Sequence, residues 1–126
     1  SADCGRTWSP LRLSNFPLAS SKPLCGRLST GQHFLLANNR EEGRRLLAIA
    51  LTRPGETVFR RIQKLRHQDF PKVRLFGGNG QKTRVGNRTE WSYPAAVEHE
   101  GNLYVSYTHG KEDCCLSVIP LSALRV

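Results

Sequence analysis

Apolar and polar residues alternate over several short segments of this 126-residue chain. In the last third, Leu103 and Val105 alternate with more polar neighbours directly after a turn at Glu100-Gly101-Asn102. Such alternation, bounded by glycine and polar residues, predicts β-strands joined by tight turns. The predicted strands are Arg12–Leu13, Lys22–Leu28, Gln32–Ala37, Arg45–Leu51, Val58–Leu65, Tyr93–His99, Asn102–Tyr107 and Cys114–Leu121.

The chain contains an internal repeat, because residues 26–37 follow the same plan as residues 96–107. A shift that places Gly31 on Gly101 also places Phe34 on an aromatic residue. Each copy reads as strand, glycine turn, strand, polar loop and strand. Antiparallel four-stranded meanders repeated in this way form the blades of a β-propeller. The sequence therefore predicts an all-β fold, a partial β-propeller of about two to two and a half blades.

We expect residues 1–126 to be a single propeller segment. Residues 1–20 end one blade, residues 21–67 form a second, and residues 91–126 form the closing blade. Residues 68–90 lack periodicity and contain a glycine-rich run, which predicts a long loop between the last two blades.

The composition narrows the possible partners. A net charge of +9 favours anionic partners, such as acidic glycans or nucleic acid. Nucleic acid is unlikely as a partner, because the chain lacks the aromatic-rich basic sheet of an RNA-binding module. No apolar run is long enough to span a membrane, so we expect a soluble protein, although its compartment stays open. The four cysteines lack metal-site spacing, and nothing in the sequence predicts a metal or a cofactor.

The first eight residues form a specific motif. Ser1, Asp3, Gly5, Thr7 and Trp8 match every defining position of the Ser-x-Asp-x-Gly-x-Thr-Trp pattern, the Asp box of sialidase-like propellers. In an Asp box the Asp and hydroxyl side chains bond a tight turn, glycine takes a positive φ, and the aromatic ring packs between sheets. We therefore interpret these residues as a structural turn remote from any active site.

A degenerate copy of the Asp box lies further along the chain. Thr52–Phe59 keeps the first hydroxyl and the last aromatic residue, and it falls between the third and fourth predicted strands of its blade.

In a propeller blade, the loops that enter the first strand and join the second to the third share one face, where ligands generally bind. On this chain that face should collect residues 20–22, 38–45 and 109–113 and the segment up to and including Tyr93. A tyrosine beside several arginines could bind a carboxylate through bidentate hydrogen bonds.

With these features the chain resembles the C-terminal half of a sialidase, or of the broader BNR/Asp-box sialidase-like family. The resemblance implies that Tyr93 corresponds to the tyrosine nucleophile, an exception to the two-carboxylate rule for glycosidases. It implies that Arg44 or Arg45 is the carboxylate-binding arginine of the middle blade. A further arginine could be Arg66, Arg84 or Arg88. The substrate-binding candidates are Lys22, Arg27, Arg44, Arg45, Arg66 and Lys111.

One departure from the family pattern leaves enzymatic activity open. The glutamate that would act as base for Tyr93 should fall near residues 26–29, where Arg27 stands instead. We therefore consider a sialidase-like glycoside hydrolase fragment that acts on or recognises anionic glycans and is inactive alone. The alternatives are a non-catalytic glycan-binding or scaffolding module and, last, a basic nucleic-acid-binding module.

An incomplete ring of blades exposes apolar sheet faces. We expect these faces to be covered by missing upstream blades or by other copies of the chain, which predicts a homo-oligomer. The predicted interface consists of Phe34, Leu36, Leu47, Ile49, Val105, Leu116 and Val118, or of the alternate neighbours that share their sheet face.

Overall fold

The computed structural model describes residues 1–11, 16–40, 43–67, 90–110 and 113–126. These residues form an all-β fold of two antiparallel sheets, which confirms the predicted fold class. The predicted strand Arg12–Leu13 lies outside the described residues. The strands are β1 Leu24–Arg27, β2 His33–Ala37, β3 Leu46–Thr52, β4 Phe59–His67, β5 Trp91–His99, β6 Asn102–His109 and β7 Asp113–Pro120.

Both sheets are meanders, since each strand pairs with its neighbours in sequence. The first sheet has the order β1-β2-β3-β4, and the second has the order β5-β6-β7. The other seven predicted strands are therefore confirmed, with small shifts at their ends. β1 begins only after Pro23, which has no N–H to donate. Leu121, predicted to end the last strand, instead begins a 3₁₀ turn, Leu121–Leu124.

One apolar core lies between the two sheets. Every second side chain along a strand lies on the inner face of its sheet, and most of these side chains are apolar. The inner faces of the two sheets therefore pack against each other. The 3₁₀ turn contributes Leu124, which is fully buried. The core comprises Leu28, Phe34, Leu36, Leu47, Ile49, Leu51, Trp91, Leu103, Val105, Tyr107 and Leu124.

This core corrects the predicted oligomer interface. Five of its seven residues are buried between the sheets of a single chain and cannot contact another molecule; they are Phe34, Leu36, Leu47, Ile49 and Val105. Leu116 and Val118 are exposed, because they lie on the outer face of the second sheet. Alternation identifies which residues share a face, but it does not show which face meets the neighbouring sheet.

A buried amide joins the sheets at the end where β1 turns into β2. Gln32 Nε2 donates to the carbonyl oxygens of Thr52, at 3.1 Å, and of Leu124, at 2.9 Å. Gln32 Oε1 accepts a hydrogen bond from the Thr30 hydroxyl. Gln32 therefore holds the 3₁₀ turn of the second sheet against the end of β3 in the first.

The Asp box folds as the motif predicts. Asp3 Oδ1 accepts hydrogen bonds from the Thr7 N–H and the Ser1 hydroxyl, and Asp3 Oδ2 accepts one from the Thr7 hydroxyl. The Gly5 N–H donates to Ser1 Oγ at 2.7 Å, and Gly5 has a φ of 86°. Hydrogen bonds from the Thr7 N–H and hydroxyl and from Ser1 lower the pKa of Asp3 to about 2.

The aromatic position of the box departs from the prediction. Trp8 is 77% exposed and does not pack between sheets. Its indole N–H donates to the Gly5 carbonyl at 3.1 Å, so the ring closes the turn locally. The ring stays exposed because no strand flanks the box within residues 1–11. In the degenerate copy, Phe59 instead begins β4 and lies 5.4 Å from the ring of Phe16.

We expect Gln32→Ala to lower the free energy of unfolding by about 2–4 kcal/mol, because it leaves two buried carbonyl oxygens without a donor. Urea unfolding followed by Trp91 fluorescence would measure the change. Asn102→Ala is the matched control, since its amide bonds only the nearby Glu100 carbonyl at the surface. Equal losses in the two variants would refute the role of Gln32 in joining the sheets.

The carboxyl group of Asp3 in the Asp box should titrate at unusually low pH. Because folding lowers the pKa of Asp3 from its ordinary value of 3.8 to about 2, the carboxylate stabilises the turn fully above about pH 3.8. That contribution is lost as the pH falls through about 2. An NMR pH titration should show the Thr7 amide shifting with a midpoint near 2, and Asp3→Asn should abolish the transition. A midpoint near 3.8 would mean that the turn does not persist in solution.

Candidate functional site

Three connections meet at one end of the two sheets. The Trp91 N–H at the start of β5 donates to the Arg44 carbonyl at 2.9 Å, which joins the β2–β3 connection to the second sheet. The Gly110 N–H in the β6–β7 turn donates to the Glu90 carbonyl at 2.8 Å. These contacts place the β2–β3 connection, the start of β5 and the β6–β7 turn at one end of the sheets.

The degenerate Asp box lies at the opposite end, as its position between β3 and β4 implies. The Gly55 N–H in that turn donates to the carbonyl of Gly31, which lies in the β1–β2 turn.

The buried side chain of Asn38 holds the backbone segments of this face together. The residue is buried at the end of β2, and its Nδ2 donates to the carbonyl oxygens of Trp91, at 2.7 Å, and Leu46, at 2.9 Å. A longer contact of 3.4 Å reaches the Arg44 carbonyl. One amide therefore fixes the start of β3, the start of β5 and the backbone of Arg44 relative to one another.

A β-bulge displays Tyr93. Ser92 pairs with Thr108, and the next paired residue of β5 is Ala95, opposite Ser106. Two residues, Tyr93 and the buried Pro94, therefore lie opposite a single residue of β6. Proline suits this place because it has no N–H to lose from the ladder. Bulges often re-aim a side chain next to an active site.

The backbone of Tyr93 is strained. Its φ is 54°, in the left-handed region that costs an L-residue about 1–2 kcal/mol. The side chain is 47% exposed, so packing in the core does not offset that strain. Strain held by the surrounding structure is a feature of functional sites.

Arg44 contacts Tyr93 from the β2–β3 connection. Its Nη1 donates to Ser92 Oγ at 3.3 Å and to the Tyr93 hydroxyl at 3.5 Å, while its Nη2 donates to the Ser20 carbonyl at 3.0 Å. The guanidinium carbon lies 5.5 Å from the centroid of the Tyr93 ring, within range of a cation–π interaction. The structure thus brings Tyr93 together with Arg44, one of the two candidates, Arg44 and Arg45, for the carboxylate-binding arginine.

The charge of Arg44 has no counter-ion within the described part of the chain. The guanidinium is half-buried, and none of the ion pairs among these residues includes it. Arginine has five N–H donors, and the three contacts above use three of them. Within the described residues, two of its donors and its positive charge are therefore left without a partner.

The other candidates on this face are less clearly placed. Arg45 is exposed directly after Arg44. Lys22 is exposed two positions after Ser20, whose carbonyl binds Arg44. Lys111 lies outside the described residues, as do Arg84 and Arg88.

Arg27 lies away from this site, and Arg66 contacts the ring of Tyr107. Arg27 ends β1 and pairs with His33 beside the β1–β2 turn, at the far end of the sheet from Arg44. Arg66 lies over the ring of Tyr107, with its guanidinium carbon 5.4 Å from the ring centroid. Arg66 pairs with Leu47 near the start of β3, at the same end of the sheet as Arg44.

The position of Glu98 shows why β5 supplies no base to Tyr93. Glu98 lies five positions further along the strand, a distance of about 16 Å. Its Oε2 accepts a hydrogen bond from the Ser29 N–H at 2.8 Å. Hydrogen bonds from the Ser29 side chain and backbone hold the pKa of Glu98 below its ordinary value. The Glu98 carboxylate therefore serves the contact between β5 and the β1–β2 turn.

Sequence reasoning gave no role to Asn38 or Ser92, although both were inside segments assigned to this face. Their roles depend on contacts between distant segments, and a polar residue next to a strand gives no signal of its own. The buried Ser92 is the clearer case, because it interrupts an otherwise apolar buried stretch with a hydroxyl that needs a donor.

Two further properties concern the described residues alone. They contain no group of three or more His, Cys, Asp or Glu side chains arranged to hold a metal ion. None of their helical segments has the length and hydrophobicity required to cross a membrane.

Comparison with known proteins gives one match. A family model described as a BNR repeat-like domain matches residues 1–105, from the Asp box to the middle of β6. No curated protein and no solved structure matches the chain.

The substitution Tyr93→Gly tests whether the Tyr93 ring is needed for packing. Glycine relieves the left-handed strain, so we expect the free energy of unfolding to stay unchanged or to rise by up to about 1 kcal/mol. Thermal unfolding would measure the change, with Tyr107→Ala as the reference for a buried tyrosine, expected to lose about 3–5 kcal/mol. A loss above about 2 kcal/mol for Tyr93→Gly would show that the ring is needed for packing.

Proposed function

The chain belongs to the BNR repeat-like family, and we propose that its Arg44–Tyr93 face binds the carboxylate of an anionic sugar. The family match covers the Asp box, the first sheet, β5 and the first half of β6. The sialidase-like resemblance of the same residues gives the sugar class.

The observation that carries the proposal is the charge of Arg44, which has no counter-ion within the described residues and lies beside an exposed, strained tyrosine. A half-buried guanidinium without a counter-ion attracts an anion, and its fork geometry matches a carboxylate. The Tyr93 ring offers an apolar surface and a hydroxyl next to that fork, as a sugar requires. The exposed Arg45 and Lys22 add positive charge on the same face.

Binding without turnover fits the site better than hydrolysis. The Tyr93 hydroxyl bonds Arg44, and no described carboxylate is in hydrogen-bonding contact with it. A phenol is a weak nucleophile at neutral pH unless a base accepts its proton, and a guanidinium cannot do so. Hydrolysis of an anionic glycan would require a carboxylate next to Tyr93 from outside the described residues.

The internal contacts of β4 weigh against nucleic acid as the partner. Arg60 is paired with Glu56 at 2.8 Å. Arg61 donates to the carbonyl oxygens of Ala123 and Arg125, and Arg66 packs on Tyr107. Three of the four basic side chains of this strand are therefore engaged within the chain.

Arg44→Lys should weaken binding of sialic or uronic acid about 10- to 100-fold, since lysine keeps the charge but loses the fork, a difference of about 1.5–3 kcal/mol. Titration followed by NMR would give the affinity and the residues that shift. Arg53→Lys, in the turn at the opposite end of the sheets, is the matched control and should bind as the unaltered chain does.

The same titration can contradict the proposal. Shifts confined to Arg60–Arg66, with none near Tyr93, would favour a general basic surface. Affinity that falls steeply with salt for an oligonucleotide, but is absent for the sugars, would favour nucleic acid. Release of product from a sialoside would refute binding without turnover.

A further inference from the structure

The two sheets end differently at their outer edges. In the first sheet, β3 is followed by a fourth strand, β4, whereas the second sheet ends at β7 within the described residues. The outer edge of β7 therefore presents a row of backbone N–H and C=O groups without a strand partner in that part of the chain. Such an edge is a template for pairing with another strand.

Charge protects the edge of β4 but not that of β7. Charged side chains on an edge strand oppose pairing with a second strand. The four basic residues of β4 are Arg60, Arg61, Lys64 and Arg66. β7 carries no charged residue between Cys114 and Pro120. The outer edge of β7 can therefore pair with a second strand without repulsion between charged side chains.

The residues after β7 turn away from its edge. The Leu121 N–H donates to the Gly101 carbonyl at the β5–β6 turn. The Leu124 carbonyl is then held by Gln32, and the Arg125 carbonyl by Arg61, both in the first sheet. Residues 121–125 consequently lead across to the first sheet and do not return along β7.

An apolar face adjoins the same edge. Val97, Tyr104 and Val118 lie in one row across the second sheet, and Leu116 lies in the next row on the same face. Val97, Leu116 and Val118 are exposed. A strand added beside β7 would extend this face and bury part of these side chains, as β4 does for β3.

We propose that β7 pairs with β7 of a second copy, in an antiparallel arrangement related by a two-fold axis. Two chains of net charge +9 repel each other, so their contact must avoid basic side chains. The neutral β7 meets that condition and is complementary to itself, since an isologous pair places residues of the same strand opposite one another. The product is a continuous six-stranded sheet, and this contact does not depend on the ligand site.

Matched charge substitutions test the pairing. Val118 on β7 and Ile62 on β4 are both 51% exposed, so Val118→Lys and Ile62→Lys add the same charge at the same exposure. Sedimentation over a range of concentrations should show a weak dimer for the unaltered chain and for Ile62→Lys. Val118→Lys should weaken dimerisation about tenfold, because it puts a charge on the strand that pairs and on the apolar face beside it.

Hydrogen exchange gives a second readout that does not depend on substitution. Alternate backbone amides of β7 should become protected as the concentration of the unaltered chain rises, while the amides of β4 do not change. Near-ultraviolet circular dichroism should show that both variants stay folded, which their exposed positions favour. A monomer at all concentrations, equal weakening by the two variants, or protection that appears on β4 and not on β7 would overturn the proposal.

Discussion

A buried side-chain amide joins the two sheets at each end. Gln32 donates to carbonyl oxygens of β3 and of the 3₁₀ turn, and Asn38 donates to those at the starts of β3 and β5. Apolar contact between two sheet faces is non-directional and tolerates sliding. A hydrogen bond to a buried carbonyl does not, because a displaced acceptor would be left without a donor. The two amides thus fix how one sheet sits on the other, and the site depends on that register.

Asn38 connects this constraint to the Arg44–Tyr93 face. By holding the Trp91 carbonyl, it places the start of β5 two residues before the bulge, and stacking of Trp91 on His109, with ring centroids 4.2 Å apart, supports the same strand from the other side. The Arg44 carbonyl accepts the Trp91 N–H. The backbone of Arg44 and the strand that carries Tyr93 are therefore bound together before the two side chains meet. The Arg44–Tyr93 contact is a result of the packing of the sheets.

The sequence predicted best those features whose physical cause is local. Strand positions followed from alternation, and the Asp box followed from hydrogen bonds confined to residues 1–8. Tyr93 and Arg44 were named through the family resemblance, and the structure places them in contact.

Features that depend on distant segments were not predictable in this way. The face of each strand that meets the other sheet was not encoded in the alternation, so Phe34 and Val105 were assigned to an oligomer interface although they form the core. Trp8 was expected to be covered, but its exposure depends on what lies beside the turn and not on the turn itself. Asn38, whose amide donates, and Ser92, whose hydroxyl oxygen accepts from Arg44, look like ordinary polar residues until the two sheets are brought together.

The Arg44–Tyr93 contact bears on whether the site binds or reacts. The left-handed backbone of Tyr93 is strained, and its exposed ring gains little free energy from burial. The contacts from Arg44, to the hydroxyl and over the ring, hold the side chain in one orientation at the surface. If the site binds an anion as proposed, an ordered phenol next to an arginine with two donors unused within the described residues lowers the entropic cost of binding. Catalysis demands in addition that a proton leave the phenol, and the contacts of Tyr93 in the described residues provide a donor where an acceptor would be needed.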